Sequence, residues 1–255
     1  MLYLDQRWDL ASDSTAPRAS SLLDGGTSRS DIDRVYADIF DAVMDRRLLP
    51  GAKLTESTLC GIFSCSRAAV RGALAQLAHD KLVVQLPNRG AFVWRPSAKE
   101  TEDVFEARRA LECLLIDKLL EMSDLPQRLR PLSEMVAHER QAFERGDRIS
   151  WLRLSNAFHV KLAGLVGNDV LTEMMHGLCS RTTLIIAFYD TPSSSTCSYV
   201  EHERILSLLA KGDKRGAKSA MRHHLQDCEQ RMHGPMAGSA NPWAAFSVKP
   251  GPEVS

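Results

Sequence analysis

The chain has 255 residues, with 32 basic and 32 acidic side chains and a formal net charge of +0. Hydrophobic residues make up 44% and charged residues 25%, an ordinary balance for a soluble globular protein. The longest apolar run, Leu184-Ile185-Ile186-Ala187-Phe188-Tyr189, is far too short to span a membrane, and no secretory leader is recognisable, so a cytoplasmic location with no membrane partner is expected. Zero net charge argues against a nucleic-acid partner unless a local excess hides in the average.

Residues 1–30, rich in Ser and Thr from Ser12 to Ser30 with a Gly25-Gly26 pair, are expected to form a mobile tail. From Asp31 to Leu49, Ile32, Val35, Tyr36, Ile39, Val43 and Met44 recur at helical spacing, and Pro50-Gly51 ends the pattern. A short helix is expected over Thr55–Phe63, with Thr55 as N-cap. Ser66 caps the next, whose buried stripe is Ala69, Val70, Ala73, Leu74 and Leu77. The period then changes. Leu82–Leu86 and Ala91–Trp94 read as two strands joined by the turn residues Pro87-Asn88-Arg89-Gly90. Pro96-Ser97 punctuates the chain, so a first domain is expected over 31–98.

Helical patterns return near 99–122, 126–145, 147–166, 168–189, 198–211 and 213–232, giving a second domain over 99–233. Residues 234–255 carry four prolines and three glycines and are expected to be a second mobile tail. The fold class is therefore mainly α: a winged helix-turn-helix of three helices plus a β-hairpin, then an antiparallel bundle of about six helices. The cysteines Cys60, Cys65, Cys113, Cys179, Cys197 and Cys228 contain no C-x-x-C and read as reduced thiols, with Cys60 and Cys65 close in sequence.

Helix, turn, helix and hairpin is the plan of a DNA reader, in which the second helix offers short or polar residues to the major groove. Arg67 and Arg71 lie one turn apart on the face opposite the apolar stripe, and Ala68 at the helix start permits close approach. Arg89 and Gly90 at the hairpin tip are placed to reach the backbone or the minor groove. Between Pro50 and Ala98 six basic residues face two acidic ones, a local excess of +4 that attracts phosphate.

In the bundle, the stripe Val104, Ala107, Leu111, Leu115 and Leu119 takes in Arg108, a costly burial unless it is paired, and Glu112 one turn on is a partner. His159 shares a face with Trp151, Phe158 and Leu162; His202 with Ile205 and Leu209; His224 with Ala217 and Met221. Three histidines from three helices thus aim at one core. Imidazole suits zinc, with nickel or manganese as alternatives, and a three-histidine site leaves positions open to water or a carboxylate.

The motifs Pro50-Gly51-Ala52-Lys53-Leu54-Thr55-Glu56, then Cys65-Ser66-Arg67-Ala68-Ala69-Val70-Arg71-Gly72-Ala73-Leu74, then Pro87-Asn88-Arg89-Gly90-Ala91-Phe92-Val93 resemble the GntR family of bacterial transcription regulators. The resemblance implies that Arg67 and Arg71 are recognition-helix arginines and Gly90 the wing glycine. Ser57 stands where the family often has Arg, so the operator contact at that position differs. Glu106-Ala107-Arg108-Arg109-Ala110-Leu111-Glu112, Phe158-His159 with Gly167-Asn168, Glu201-His202 and His224-Leu225 are similar to the FCD effector domain of the FadR-type subfamily, and six helices suit its VanR-like subgroup.

The resemblance implies a homodimeric regulator, expected to be a repressor of double-stranded operator DNA and not an enzyme. Its expected effector is a small carboxylate paired with Arg108, with Arg181 as a second candidate. Metal-binding members carry a carboxylate or Asn four residues before the first histidine. Here that position is Ser155, a poor ligand, and Asn156 is the other fourth-ligand candidate. The alternatives are a metal-free acyl-CoA sensor of the same family and a His₃ metal-dependent hydrolase.

Overall fold

The computed structural model describes residues 30–189 and 198–231. Both expected tails, Cys197 and the rest of the expected gap between the helices ending at 189 and starting at 198 lie outside the described residues, apart from Ser30. The chain divides into two compact units between Pro96 and Ser97.

In the first unit, α1 (Asp31–Met44) starts where the Ser30 hydroxyl accepts from the backbone N–H of Asp33. It buries Val35, Ile39, Phe40, Ala42, Val43 and Met44. The helix stops five residues before the expected Leu49. Arg46 takes a left-handed turn (φ 58°), and Leu48 folds back to full burial with its N–H on Ala42 O at 2.8 Å. Burying Leu48 overrides continued helix.

Helix α2 (Glu56–Phe63) begins at Thr55, whose side chain makes no capping bond, contrary to expectation. Ser64 is left-handed and turns the chain into α3 (Arg67–His79), where the Ser66 hydroxyl accepts from Ala69 N–H. A Cβ on Gly72 would lie 2.9 Å from Ile32 Cδ1, so the bare Cα allows α1 to pack closely on α3. The Tyr36 hydroxyl donates to buried Asp80 at 2.7 Å and ties the far end of α3 to α1.

Strands β2 (Val83–Leu86) and β3 (Gly90–Val93) form the expected hairpin, with Leu86 opposite Gly90. Sequence reasoning missed a third strand, β1 (Lys53–Leu54), which pairs with β3 and gives the antiparallel order β1-β3-β2. Two residues are too short for any periodicity to reveal.

The second unit opens at α4 (Ala98–Leu119), where Ser97 and Glu100 form a reciprocal capping box. The helix expected over 126–145 is two: α5 (Leu125–Arg128) and α6 (Arg130–Glu144). Pro131 explains the interruption, because its ring clashes with the preceding turn and it has no N–H to donate. Next come α7 (Arg148–Gly164), α8 (Asp169–Tyr189), α9 (Ser198–Ala210) and α10 (Lys214–Gln230).

Asp147 and Asp213 cap α7 and α10 by accepting from Ser150 and Gly216 N–H. Helix α7 packs on α6 and α8, while α10 packs on α4 and α9. Leu111, Leu115, Ala163, Met175 and Cys179 form a core cluster where α4, α7 and α8 pack together. Among the described residues, no helix is long and apolar enough to cross a membrane.

Candidate DNA interface and histidine centre

In the first unit Ser57, Arg67, Ala68, Arg71, Arg89 and Gly90 are all exposed, while the opposite face of α3 is buried. Arg71 Nε lies 2.8 Å from Glu56 Oε2, and its side chain is 67% exposed. A pair this open contributes little stability. It does fix the direction of a long side chain before any ligand arrives. Glu56 was not among the residues expected to matter, although it closes the first family motif.

The hairpin tip is held by Arg89 N–H donating to Leu86 O at 3.1 Å, with Asn88 at φ 60° and Gly90 at φ 92°. The second of these is a region that only glycine enters without strain. Lys53 Nζ sits 5.9 Å from the Phe92 ring centroid, adding a positive group to the same sheet.

In the second unit the three histidines meet. His159 on α7, His202 on α9 and His224 on α10 are all buried. His224 Nε2 lies 3.3 Å from His159 Nε2 and 3.3 Å from His202 Nε2. The outward nitrogen of each ring is held by a different carboxylate. His159 Nδ1 is 2.6 Å from Glu112 Oε2, His202 Nδ1 is 2.8 Å from Glu139 Oε2, and His224 Nδ1 is 2.6 Å from Glu201 Oε2.

Those carboxylates are anchored in turn. Glu112 Oε1 accepts from Arg108 Nε at 2.8 Å. Glu139 Oε1 accepts from the Ser198 hydroxyl, which accepts from Trp151 Nε1 at 2.9 Å. The Phe158 ring stacks on His202 at 4.1 Å between centroids and fixes its plane.

This arrangement sets the tautomers. An ionised carboxylate only accepts, so each Nδ1 carries the proton and each Nε2 presents a lone pair inward. Burial holds His159 well below the usual imidazole range, helped by nearby Arg108. Burial also lowers His224, against the opposing pull of Glu201. Burial alone would raise Glu201, but the hydrogen bond from His224 carries it below the ordinary carboxylate value. Burial pushes the neighbouring Cys179 thiol up to about 12, which leaves it inert.

The three Nε2 lone pairs therefore converge, with His224 Nε2 3.3 Å from each of the other two, a repulsive arrangement that a cation relieves. Tetrahedral zinc with nitrogens at about 2.0–2.1 Å separates its ligands by about 3.3–3.4 Å. The donor set fits that ion. Carboxylates on the outer nitrogens are the usual support of metal-binding imidazoles.

The remaining sites fall differently. Asn156 is buried, its amide N–H donating to Leu152 O at 3.1 Å on its own helix. Ser155 is buried one turn before His159. Arg181 is half-buried, two positions along α8 from the fully buried Cys179, and makes no ion pair among the described residues. Arg108 is 2% exposed and committed to Glu112, whose Oε1 also lies 2.8 Å from Nη2; that second nitrogen lacks hydrogen-bond geometry. Glu139 was missed by sequence reasoning. Its signal was its place on the α6 stripe Leu132, Met135, Val136, Glu139 and Ala142, where an unpaired carboxylate has no business.

Comparison with known proteins gives the context of both sites. Residues 31–93 match the family model described as bacterial regulatory proteins, gntR family, and residues 103–227 match the FCD domain. An HTH-type transcriptional regulator from an unstable DNA locus of Streptomyces ambofaciens is 31% identical over 219 residues, covering 83% of this chain and 89% of that one. The HTH-type transcriptional repressor RspR of Escherichia coli is 26% identical over 198 residues, covering 77% and 86%. A solved GntR transcriptional regulator from Rhodococcus sp. RHA1 is 25% identical with a TM-score of 0.64, covering 80% of this chain and 98% of that one. An exposed arginine-bearing recognition helix, a wing and a buried effector-domain centre thus sit on a matching sequence: the chain belongs to the GntR family of DNA-binding transcription regulators with an FCD effector domain.

Proposed function

We propose that the chain is a homodimeric repressor of the VanR-like subgroup whose operator affinity is set by a small carboxylate bound at a divalent metal, zinc first, in the histidine centre. The observation that carries this reading is the convergence of three Nε2 lone pairs, each ring oriented by its own glutamate. The six long helices of the second unit support the subgroup, and RspR carries the name of a repressor. His159, His202 and His224 would hold the metal and leave a position open, because Ser155 brings no anionic ligand. When bound, the metal supplies a positive charge and an open position for a carboxylate. Arg108 Nη2, buried without a hydrogen bond on a guanidinium that acts on His159, would offer a donor for the second effector oxygen.

Two dimer-related recognition helices would read half-sites about one helical turn apart. The effector acts by binding one arrangement of the DNA heads more tightly than the other. A hydrolase is disfavoured, because Glu112, Glu139 and Glu201 are each committed to an imidazole and none stands as a general base. A fatty acyl chain is likewise ill-suited to a centre built of three carboxylates, three imidazoles and a guanidinium.

The test is elemental analysis of tag-free full-length protein, alongside His159→Ala. About one equivalent of tightly held divalent metal that survives purification, lost in the variant, is the expected result. Less than about a tenth of an equivalent, with no uptake on titration, removes the metal from the reading.

A further inference from the structure

Outside the histidine centre, a second set of metal-ligating groups converges on the α9–α10 surface. His223 and Asp227 lie one turn apart on α10, with His223 Nδ1 3.0 Å from Asp227 Oδ2. Glu201 projects from α9, and one ligand atom from each of the three residues falls within 4.8 Å of the other two. The His223 side chain is 72% exposed, against 28% for Asp227 and 20% for Glu201. Solvent therefore reaches the cluster from one side. Arg231 is the cation that acts on Glu201 from the same helix end, and its Nη2 is directed to Cys228 Sγ at 3.1 Å.

We propose that Glu201, His223 and Asp227 form a second, solvent-facing site for a divalent transition-metal cation, coupled to the histidine centre through the shared carboxylate of Glu201. The i, i+4 placement puts two ligands on one helix face, the spacing that helical metal sites use. Their separation of 3.0 Å matches that of neighbouring ligands on a six-coordinate ion with bonds of about 2.1 Å. One imidazole and two carboxylates suit manganese, nickel or zinc, with waters completing the shell.

The coupling follows from the lone pairs of Glu201. An ionised carboxylate has about four acceptor sites, and the bond to His224 Nδ1 uses one of them, on Oε2. An outer cation on Glu201 draws electron density from that oxygen. Glu201 then accepts less strongly from His224 Nδ1–H, and His224 Nε2 becomes a poorer donor to an inner metal. Disturbing such a support costs roughly 10–100-fold in metal affinity. By linkage, an inner metal weakens the outer site by the same factor. The outer site stands on its own residues, and only the coupling rests on the metal reading of the histidine centre.

The experiment uses chelator-stripped full-length protein and zinc alone, in equilibrium dialysis with excess magnesium. Wild type is expected to take up two equivalents, and His223→Ala and Asp227→Asn to lose the weaker one. His159→Ala, which leaves Glu201 untouched, is expected to keep the weaker one. Manganese added to wild type holding a single equivalent of zinc should lower the affinity for that zinc about tenfold, and should have no such effect in His223→Ala. Full wild-type uptake in both His223→Ala and Asp227→Asn overturns the proposal, as does no uptake by a His159→Ala chain shown folded by circular dichroism. If instead wild type and His159→Ala each bind one equivalent and His223→Ala binds none, the outer site stands and the inner metal falls.

Discussion

Glu112 is the point where stability and metal binding can be separated. It accepts from Arg108 with one oxygen and from His159 with the other, and all three residues are buried. Replacing it by Gln leaves the guanidinium charge in the interior without a counter-charge. Breaking a buried pair in this way costs about 3–5 kcal/mol. Exchanging both partners for apolar residues of similar volume, Arg108→Met with Glu112→Leu, removes the charge and the need for it together. That double variant is expected to lie within about 1–2 kcal/mol of wild type, on either side. Its metal affinity should nevertheless fall roughly 10–100-fold, because His159 has lost the acceptor that fixes its tautomer and direction. The assays are urea unfolding of the metal-free chain, followed by the transition of the helical unit, and zinc competition against a chromophoric chelator. A Glu112→Gln chain losing less than about 1 kcal/mol would refute the charge argument. A double variant with wild-type zinc affinity would refute the orienting role.

On the DNA side, Arg71→Ala should cost about 1–3 kcal/mol of operator affinity and relax sequence preference, read by titration at fixed salt. Arg89→Ala should weaken all sequences alike and reduce the salt slope by about 1; unchanged operator affinity in Arg71→Ala disposes of the recognition-helix assignment. The metal-free helical unit should lose stability on acidification. An unfolded histidine titrates near about 6.5, whereas folded His159 and His224 are held lower. Below about pH 6.5 the unfolded chain takes up protons that the folded one refuses, so stability falls by up to about 1.4 kcal/mol per pH unit for each ring. Above that range these two rings add no pH dependence. A urea midpoint that stays constant or rises between pH 7.5 and 5.5 contradicts this assignment.

Much of this was readable before any coordinates, for a physical reason. Helical faces are local, so His159, His202 and His224 declared themselves by falling on apolar stripes, and the period change after Asp80 marked the hairpin. What stayed hidden depends on long-range registration. Glu139 is 63 residues from the imidazole it supports, and only the packing of α6 beside α9 brings them together. Arg181 shows the converse, since its helix was found but the stripe of α8 is buried over so many positions that its direction could not be read. Strand β1 exists only because β3 offers it a partner.

Charge followed the same rule. The chain total of +0 concealed a local excess on the DNA face, and it also concealed two buried carboxylates, Glu112 and Glu139, and the half-buried Glu201 against one guanidinium in the second unit. By formal count, with the imidazoles taken as uncharged, Glu112, Glu139, Glu201 and Arg108 sum to two negative charges, which the proposed divalent cation would balance. A monoanionic effector bound as proposed would make the filled centre net negative, so its binding would draw on directed bonds, to the metal and to Arg108 Nη2, rather than on net charge. A centre balanced in this way discriminates by where an anion places its oxygens. That is what a regulator requires if it must respond to one small acid among many of the same charge.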